Sequence, residues 1–485
     1  MNSNEKYNVV VIGAGTAGLV TAAGTAGLGG RVALIERNKM GGDCLNFGCV
    51  PSKALISSAR AIQNIRRAEQ WGLKKHEPQF EFHEVFERMR ARRAKIAPND
   101  SKERFEGLGV DVFLGQAKFL SPHEVEVDGK ILRAKNFVIA AGSRAGAPPV
   151  DGLKEVKFYT NETIFDELRE KPKSMAVVGG GPIGCELSQV LQRLGVQMTI
   201  IEYGPQLLLK EDRDVADFMQ ERLEAEGVRV IHCAETKRVF QKDGCVHFEL
   251  LRKPPGDSVG TSLHVEADAL LVAAGRIPNV EGLNLEAAGV KYSNKGVEVN
   301  EYLQTSQPHI YAAGDIVGPY QFTHTADFQA RTVARNILLP FAKSKMNYSV
   351  VPWCTYTDPE VAHVGLNETE AKAQGIEYDL FTQPMEDVDR AILESEDQGF
   401  AKVLTRKGTD KILGVTLVAS HAGDLLHEFV LAMKYDIGLS KIAATIHAYP
   451  TFAELARKSG DKYQKTRLTP LAKTLFAWLY RRARR

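Results

Sequence analysis

Cys44 and Cys49 stand five positions apart in Gly41-Gly42-Asp43-Cys44-Leu45-Asn46-Phe47-Gly48-Cys49-Val50-Pro51-Ser52-Lys53, between a glycine-rich signature and a helical pattern. A thiol at the start of a helix feels the positive end of the helix dipole. That favours the thiolate and lowers its pKa below the free value of about 8.5. Such a pair suits reversible disulfide chemistry beside a cofactor. Spacing alone leaves packed core thiols open as the alternative, and two cysteines by themselves seldom hold zinc.

The elements around the pair sharpen this. Val9-Val10-Val11-Ile12 reads as a buried parallel strand that meets Gly13-Ala14-Gly15-Thr16-Ala17-Gly18, where a helix opens. Gly13, Gly15 and Gly18 allow a tight turn, close approach of the backbone to a pyrophosphate and close helix–strand packing. Glu36 ends the next strand, where a carboxylate accepts from ribose hydroxyls. The pattern recurs. Met175-Ala176-Val177-Val178 leads into Gly179, Gly181 and Gly184, and a second strand ends at Glu202, at the same distance from its first glycine. Two bound dinucleotides are implied, one a flavin and the other a nicotinamide. A carboxylate at Glu202 accepts from a free ribose hydroxyl and repels a 2′-phosphate, so NADH is favoured, with NADPH still open.

The closing segment Ala140-Ala141-Gly142 is echoed by Ala273-Ala274-Gly275, which supports duplication. Between the folds, residues 60–102 read as charged helix and residues 110–138 alternate like antiparallel strands. Ile310-Tyr311-Ala312-Ala313-Gly314-Asp315 reads as a strand that delivers Asp315 at its C-terminal edge, where open α/β sheets bind ligands. Alternation in residues 412–418 predicts a further sheet.

The totals set bounds. A chain of 485 residues implies about three domains. Sixty-two Lys and Arg against 60 Asp and Glu offer no overall field for nucleic acid. Six cysteines do not make a secreted disulfide scaffold, and the N-terminus lacks a signal-peptide pattern, so a cytoplasmic protein is expected. The glycines of the uncharged run 7–30 argue against a membrane span there. Cys185, Cys233, Cys245 and Cys354 read as buried thiols, and no resident metal site is read.

The segment from Gly42 to Lys53 resembles the active site of the flavoprotein disulfide reductases, a family that includes glutathione reductase, dihydrolipoyl dehydrogenase and mercuric reductase. The resemblance runs over nearly all of the chain. It implies an FAD site in the first fold, with Asp315 at the flavin's ribityl and pyrophosphate region, and a nicotinamide site in the second. It also implies that Cys44 is the interchange thiol, Cys49 the charge-transfer thiol against the flavin, and Lys53 a cation near flavin N5 paired with Glu186. His324 either approaches the flavin or packs. Asp43 departs from the family's usual threonine.

Val351-Pro352-Trp353-Cys354 resembles the start of the family's interface domain, so a homodimer is expected. In the reductases of glutathione and lipoamide, a histidine directly before Pro-Thr and a glutamate five positions later act as acid and base. Here Tyr449 and Glu454 hold those places, with His447 two residues earlier. Imidazole titrates near 6.5, whereas a phenol near 10 stays protonated at neutral pH and donates a hydrogen bond. A tyrosine here resembles mercuric reductases. The paired C-terminal cysteines of those enzymes are not expected, because the chain ends Arg481-Arg482-Ala483-Arg484-Arg485. From Lys462 onward there are cations and no acids, and Leu471, Leu475, Phe476 and Leu479 form a stripe after Thr469-Pro470. That tail is read either as a helix packed on the dimer or as a peripheral contact with the inner face of a membrane.

The expected architecture is therefore α/β. It has an FAD-binding domain (1–150), a nicotinamide-binding domain (151–277), a central domain completing the FAD site (278–345), an α+β dimerisation domain (346–460) and a basic tail (461–485). The expected activity is electron transfer from NAD(P)H through flavin and the Cys44–Cys49 disulfide to an acceptor. A thiol-bound metal ion is the first choice, then a small disulfide or lipoamide-like substrate, then a quinone or dye. A membrane-associated redox sensor is the alternative of another class.

Overall fold

Val9, Val10, Val11 and Ile12 are all buried, and their side chains alternate between two cores. In the computed structural model, which describes residues 6–484, they lie in the strand Tyr7–Ile12 at the centre of a seven-stranded sheet. Val9 and Val11 pack with Ala17, Leu19 and Ala22 of the helix Thr16–Gly27 and with Ala326, Ala330 and Val333 of the helix Thr323–Leu338. Val10 and Ile12 face Phe119, Val125, Phe137 and Leu283. Both faces are covered, which is why the strand reads as an unbroken apolar run. Each fully buried aliphatic side chain contributes roughly 1.5–3 kcal/mol.

The sheet runs Val110–Leu114, Val32–Glu36, Tyr7–Ile12, Lys130–Ile139, Glu124–Val127, Lys118–Ser121, with Ile310–Ala312 also paired to Lys130–Ile139. One expectation is corrected here. Val110–Leu114 pairs in parallel with Val32–Glu36, and only the strands from Lys118 to Ile139 form the antiparallel meander. Val110 and Val112 are buried under the first sheet's helices, so alternation there reflects an edge strand of the parallel sheet.

The second glycine-rich turn lies in a four-stranded parallel sheet ordered Arg229–Ile231, Gln197–Ile201, Ser174–Val178, Ala269–Val272. An antiparallel sheet of Ala234–Lys242, Cys245–Arg252 and Thr261–Ala267 accompanies it. The two echoing segments meet, because Ser143–Ala145 after the first pairs with Arg276–Pro278 after the second.

By its contacts the chain divides into two compact units. One comprises residues up to 59, 79–207 and 223–347; the other comprises residues 60–78, 208–222 and 348 onward. The second unit is built on a five-stranded antiparallel sheet, Pro352–Thr355, Glu360–Gly365, Ile412–Ala419, Phe400–Arg406, Tyr378–Pro384. Leu426, Phe429, Leu455 and Tyr463, from the helices Ala422–Lys434 and Glu454–Thr466, pack into its core. Lys402 is buried there, with its ammonium 3.0 Å from Asp212, 2.9 Å from Asp214 and 2.7 Å from Glu368. The last helix, Pro470–Ala483, is capped by Thr469, whose hydroxyl accepts from the Ala472 N–H, and it buries no residue. Among the described residues, no helix is long and apolar enough to cross a membrane.

Candidate active site

The redox segment folds as two short steps. Gly41 and Gly42 both have positive φ and turn the chain into the helix Gly42–Asn46, which carries Cys44. The helix Cys49–Arg66 then starts at Cys49, with Pro51 in its first turn, where a missing N–H costs nothing. A Cβ on Gly42 would lie 2.6 Å from the Cα of Gly15, so the redox helix sits directly on the first phosphate-type turn.

The two cysteines are free thiols with opposite electrostatics. Cys49 is lowered to about 6, chiefly by the hydrogen bond from Cys44 and then by Thr323 and the charge of Lys53, which together outweigh burial. Cys44 is raised strongly by that same hydrogen bond, by burial and by the neighbouring Cys49 charge. The two thiols titrate as a coupled pair in which the surroundings favour the thiolate on Cys49. Cys49 Sγ lies 3.4 Å from Thr323 Oγ1, and Thr323 opens its own 16-residue helix. Two helix N-termini therefore face this sulfur. Lys53 Nζ is 2.8 Å from Glu186 Oε2. Glu186 is buried on the helix Pro182–Arg193 that follows the second glycine-rich turn.

The two turns repeat each other atom for atom. Glu36 Oε2 accepts from the Ala14 N–H at 2.6 Å and Oε1 from Asn38 at 2.8 Å. Glu202 Oε2 accepts from the Gly180 N–H at 2.5 Å and Oε1 from Gly204 at 2.6 Å. Gly13 and Gly179 have φ of 104° and 115°, and a Cβ on either would lie 2.3 or 2.5 Å from the carbonyl oxygen of Ala140 or Ala273. A Cβ on Gly18 or Gly184 would lie 1.8 or 1.9 Å from the preceding turn's own carbonyl. These positions admit only glycine, the first of each turn for its tightness and the last for close helix–strand packing. A cavity lined by Gly13, Glu36, Arg37, Gln116, Ala117 and Asn279 opens beside the first carboxylate. The first fold thus fits FAD, with Glu36 at the end of its second strand. The second fits a nicotinamide dinucleotide, with Glu202 in the same position. Gly142 and Gly275 have φ of 66° and 131°, and among the described residues no atom beyond their chain neighbours lies within 4 Å of a Cβ there.

Asp315 is nearly buried, and burial pushes its carboxyl upward against the opposing influence of Arg276 and Ser143. Ser143 Oγ donates to it at 2.7 Å. Arg276 was not singled out as a site residue. Its Nε donates to Ser143 Oγ at 2.7 Å, and its guanidinium lies 3.2 Å from Asp43 and 3.5 Å from Asp315. Burial works against its charge, but Asp43 and Asp315 hold it firmly cationic. Asp43 also accepts from Asn161 at 3.2 Å. The aspartate that replaces the family's threonine therefore comes with its own counter-ion. The only signal was that Arg276 directly follows Gly275, as Ser143 follows Gly142. Thr323, Ser143 and Asn161 were likewise missed, because each reaches the site over long sequence separations.

In the other unit, Tyr449 is exposed and its hydroxyl donates to Asp389 Oδ2 at 2.9 Å, a bond that raises its pKa, with the Asp389 charge adding to it. Glu454 is buried at the start of its helix, with Oε1 accepting from Arg457 at 3.1 Å. His447 Nε2 lies 3.0 Å from Glu428. His324 stacks on Phe322, ring centroids 5.3 Å apart. Cys185 and Cys233 are buried as expected. Cys245 and Cys354 are only half-buried: Cys245 begins its strand, and Cys354 packs against the core from an edge strand.

The profile of the pyridine nucleotide-disulphide oxidoreductases matches residues 7–330, and that of the family's dimerisation domain matches residues 351–459. The chain is 32% identical to a mercuric reductase of Staphylococcus aureus over 467 residues, 95% of this chain and 84% of that one. It is 33% identical to a dihydrolipoyl dehydrogenase of Bacillus subtilis (strain 168), covering 93% and 96%. The solved HOCl-induced flavoprotein disulfide reductase RclA of Escherichia coli superposes with a TM-score of 0.83 at 27% identity, over 94% of this chain and 99% of that one. Its Cu(II) complex matches equally well, at 26% identity. Members of the family bind FAD and use NAD(P)H, and the dimerisation domain supports a homodimer. Two nucleotide folds built on one atomic plan, a thiol pair on the first of them and both matched profiles make this chain a member of the pyridine nucleotide-disulphide oxidoreductase family, the class I flavoprotein disulfide oxidoreductases.

Proposed function

We propose that the chain carries two electrons from NAD(P)H to a Cys44–Cys49 disulfide and on to a soft metal ion held by thiols. The observation that carries this reading is geometric: Cys49 Sγ lies 3.4 Å from Thr323 Oγ1 at a helix start, while Tyr449, bonded to Asp389 at 2.9 Å, holds the place of the imidazole that disulfide exchange needs. FAD, when bound, supplies the two-electron step between the nicotinamide and the sulfur or metal. Opening the disulfide takes two electrons and two protons and leaves Cys49 as thiolate once its proton is released. Thr323, Lys53 and the helix N-termini hold that charge, and Glu186 positions Lys53.

Cys44 must lose a proton before it can exchange with a substrate. In disulfide-reducing relatives an imidazole is the expected base, but here the position is Tyr449, a phenol raised still further by Asp389. A metal ion needs no such base, since coordination itself deprotonates a thiol. The two protein sulfurs displace two carrier thiolates, and the Cys44 proton leaves with one of them. Tyr449 and Glu454 then serve as hydrogen-bonding groups at the substrate. Similar identity to dihydrolipoyl dehydrogenases supports a small disulfide as the second reading. Glu202 supports NADH as the donor, and kcat/KM for NADH above that for NADPH is the expected outcome.

The test is reoxidation of the anaerobically reduced enzyme by mercuric–thiol complex, glutathione disulfide or lipoamide. Turnover with the mercury complex well above either disulfide is expected. Faster reoxidation by a disulfide would overturn the metal reading and leave the relay intact.

The exposed helix Pro470–Ala483 lies beyond the matched dimerisation domain and presents Leu471, Leu475, Phe476, Trp478 and Leu479 beside Lys473, Arg481 and Arg482. This arrangement supports docking on an anionic lipid surface. Flotation with phosphatidylserine vesicles that is lost on deletion of residues 468–485 is expected. Equal flotation of both proteins would refute it.

A further inference from the structure

The antiparallel sheet Ala234–Lys242, Cys245–Arg252, Thr261–Ala267 gathers chemistry that the redox relay does not use. Two period-two pairs, Cys245-x-His247 and His264-x-Glu266, lie on adjacent strands. His247 stands opposite Glu266 and Glu249 opposite His264. All five side chains belong to one face of the hairpin, because residues two apart in a strand share a face and paired residues point the same way.

On that face, His247 Nδ1 lies 3.0 Å from His264 Nε2 and 4.0 Å from Glu266 Oε2, and ligand atoms of the three residues lie within 4.8 Å of one another. His247 Nε2 faces the Lys242 carbonyl at 3.2 Å. A carbonyl only accepts, so Nε2 carries the proton and the Nδ1 lone pair is directed at His264 and Glu266. Metal-ligating imidazoles are commonly oriented in this way. Phe240 fixes the ring further, stacked at 5.2 Å and within 10° of parallel. His247 is buried, while His264 and Glu266 are exposed, so the cluster has a rigid inner ligand and two outer ligands that can close on an ion. Cys245, half-buried and two residues from His247, donates to Asp268 Oδ1 at 3.9 Å and lies near Glu266. The neighbouring acids are Glu249, Glu266 and Asp268, and the strand Ala234–Lys242 sets the cations Arg238 and Lys242 opposite Glu249 and Cys245.

We propose that His247, His264 and Glu266 form a binding site for one divalent transition-metal ion of the zinc or copper kind, with the Cys245 thiol or a water as fourth ligand. Two imidazoles and a carboxylate suit such ions. Bonds of about 2.0–2.2 Å require only that the exposed side chains draw in slightly. The hairpin would be cross-linked by the ion, at a site that shares no residue with Cys44 and Cys49.

The redox thiols bind soft metals themselves, so the test uses FAD-loaded protein carrying Cys44→Ser and Cys49→Ser. Zinc binding is measured by competition with a chromophoric chelator, and copper binding by the nitrogen couplings in the Cu(II) electron paramagnetic resonance spectrum. One ion per chain is expected in this background, with two coupled nitrogens. His264→Ala should weaken zinc at least tenfold and reduce the couplings to one, and Glu266→Gln should weaken zinc to a smaller degree. Both changes are on exposed side chains, so folding is retained, and flavin content checks it. No stoichiometric ion in the double-serine protein, or affinity and couplings unmoved by His264→Ala, would overturn the proposal. Either result leaves the redox relay untouched.

Discussion

The two glycine-rich turns share their carboxylate geometry and differ at the middle glycine. A Cβ on Gly15 would face Gly42 of the redox helix at 3.8 Å, whereas among the described residues no atom beyond the local backbone lies within 4 Å of a Cβ on Gly181. One atomic plan thus serves two purposes. The first turn is backed by the thiol-bearing segment, which suits a cofactor kept against Cys49. The second is left clear by the chain, which suits a nucleotide that binds and departs. The two copies then meet through equivalent residues, since Ser143 and Arg276 follow Gly142 and Gly275 and are hydrogen-bonded to each other. Duplication has therefore supplied both sites and the contact between them.

Matched substitutions break the comparison most strongly. Gly18→Val should yield protein without flavin, because its side chain collides with the carbonyl of Gly13. Gly184→Val should keep flavin and lose nicotinamide binding. Flavin absorbance per chain and NADH affinity separate the two; loss of flavin in both would show that the folds are not independent. Arg276→Met comes next, since it leaves the Asp43 and Asp315 carboxylates without their shared cation. A loss of about 1–3 kcal/mol is expected, less than for a fully buried pair because the Asp43 side chain is 34% exposed. It should be seen in denaturant unfolding and be relieved by adding Asp43→Thr. The smallest effect is expected for Gly181→Ala. Its methyl meets no protein atom, so stability and flavin content should hold while the KM for NADH rises about tenfold, consistent with roughly 1.4 kcal/mol of lost binding. An unchanged KM would place the nucleotide elsewhere.

The glycines, Glu36, Glu202 and the cysteine segment were legible in the sequence because their spacing encodes backbone geometry, and backbone geometry is local. Arg276 was not, since its partners Asp43, on the helix Gly42–Asn46, and Asp315, just after the strand Ile310–Ala312, are distant in sequence and only the fold brings them together. The parallel pairing of Val110–Leu114 was hidden for a related reason: alternation reports a half-buried strand and not its partner's direction. Cys245, His247, His264 and Glu266 are visible as two alternating pairs only after the hairpin register is known. His447 and Tyr449 were legible as departures from a motif, but their bonds to Glu428 and Asp389 were not.

The central claim is that Cys49 is the thiolate of the pair. Its folded pKa is depressed, so the thiolate is present above about pH 6 and is lost as pH falls through that value. The most direct measurement is the thiolate–flavin charge-transfer absorbance of the anaerobic, NADH-reduced protein, titrated from pH 5 to 9 in the wild type and in Lys53→Gln. The account expects the band to grow with pH around a midpoint near 6 in the wild type, and a midpoint higher by about one pH unit without the lysine charge. A wild-type midpoint near the free-thiol value of about 8.5, or flavin that bleaches with no band at any pH, would contradict it.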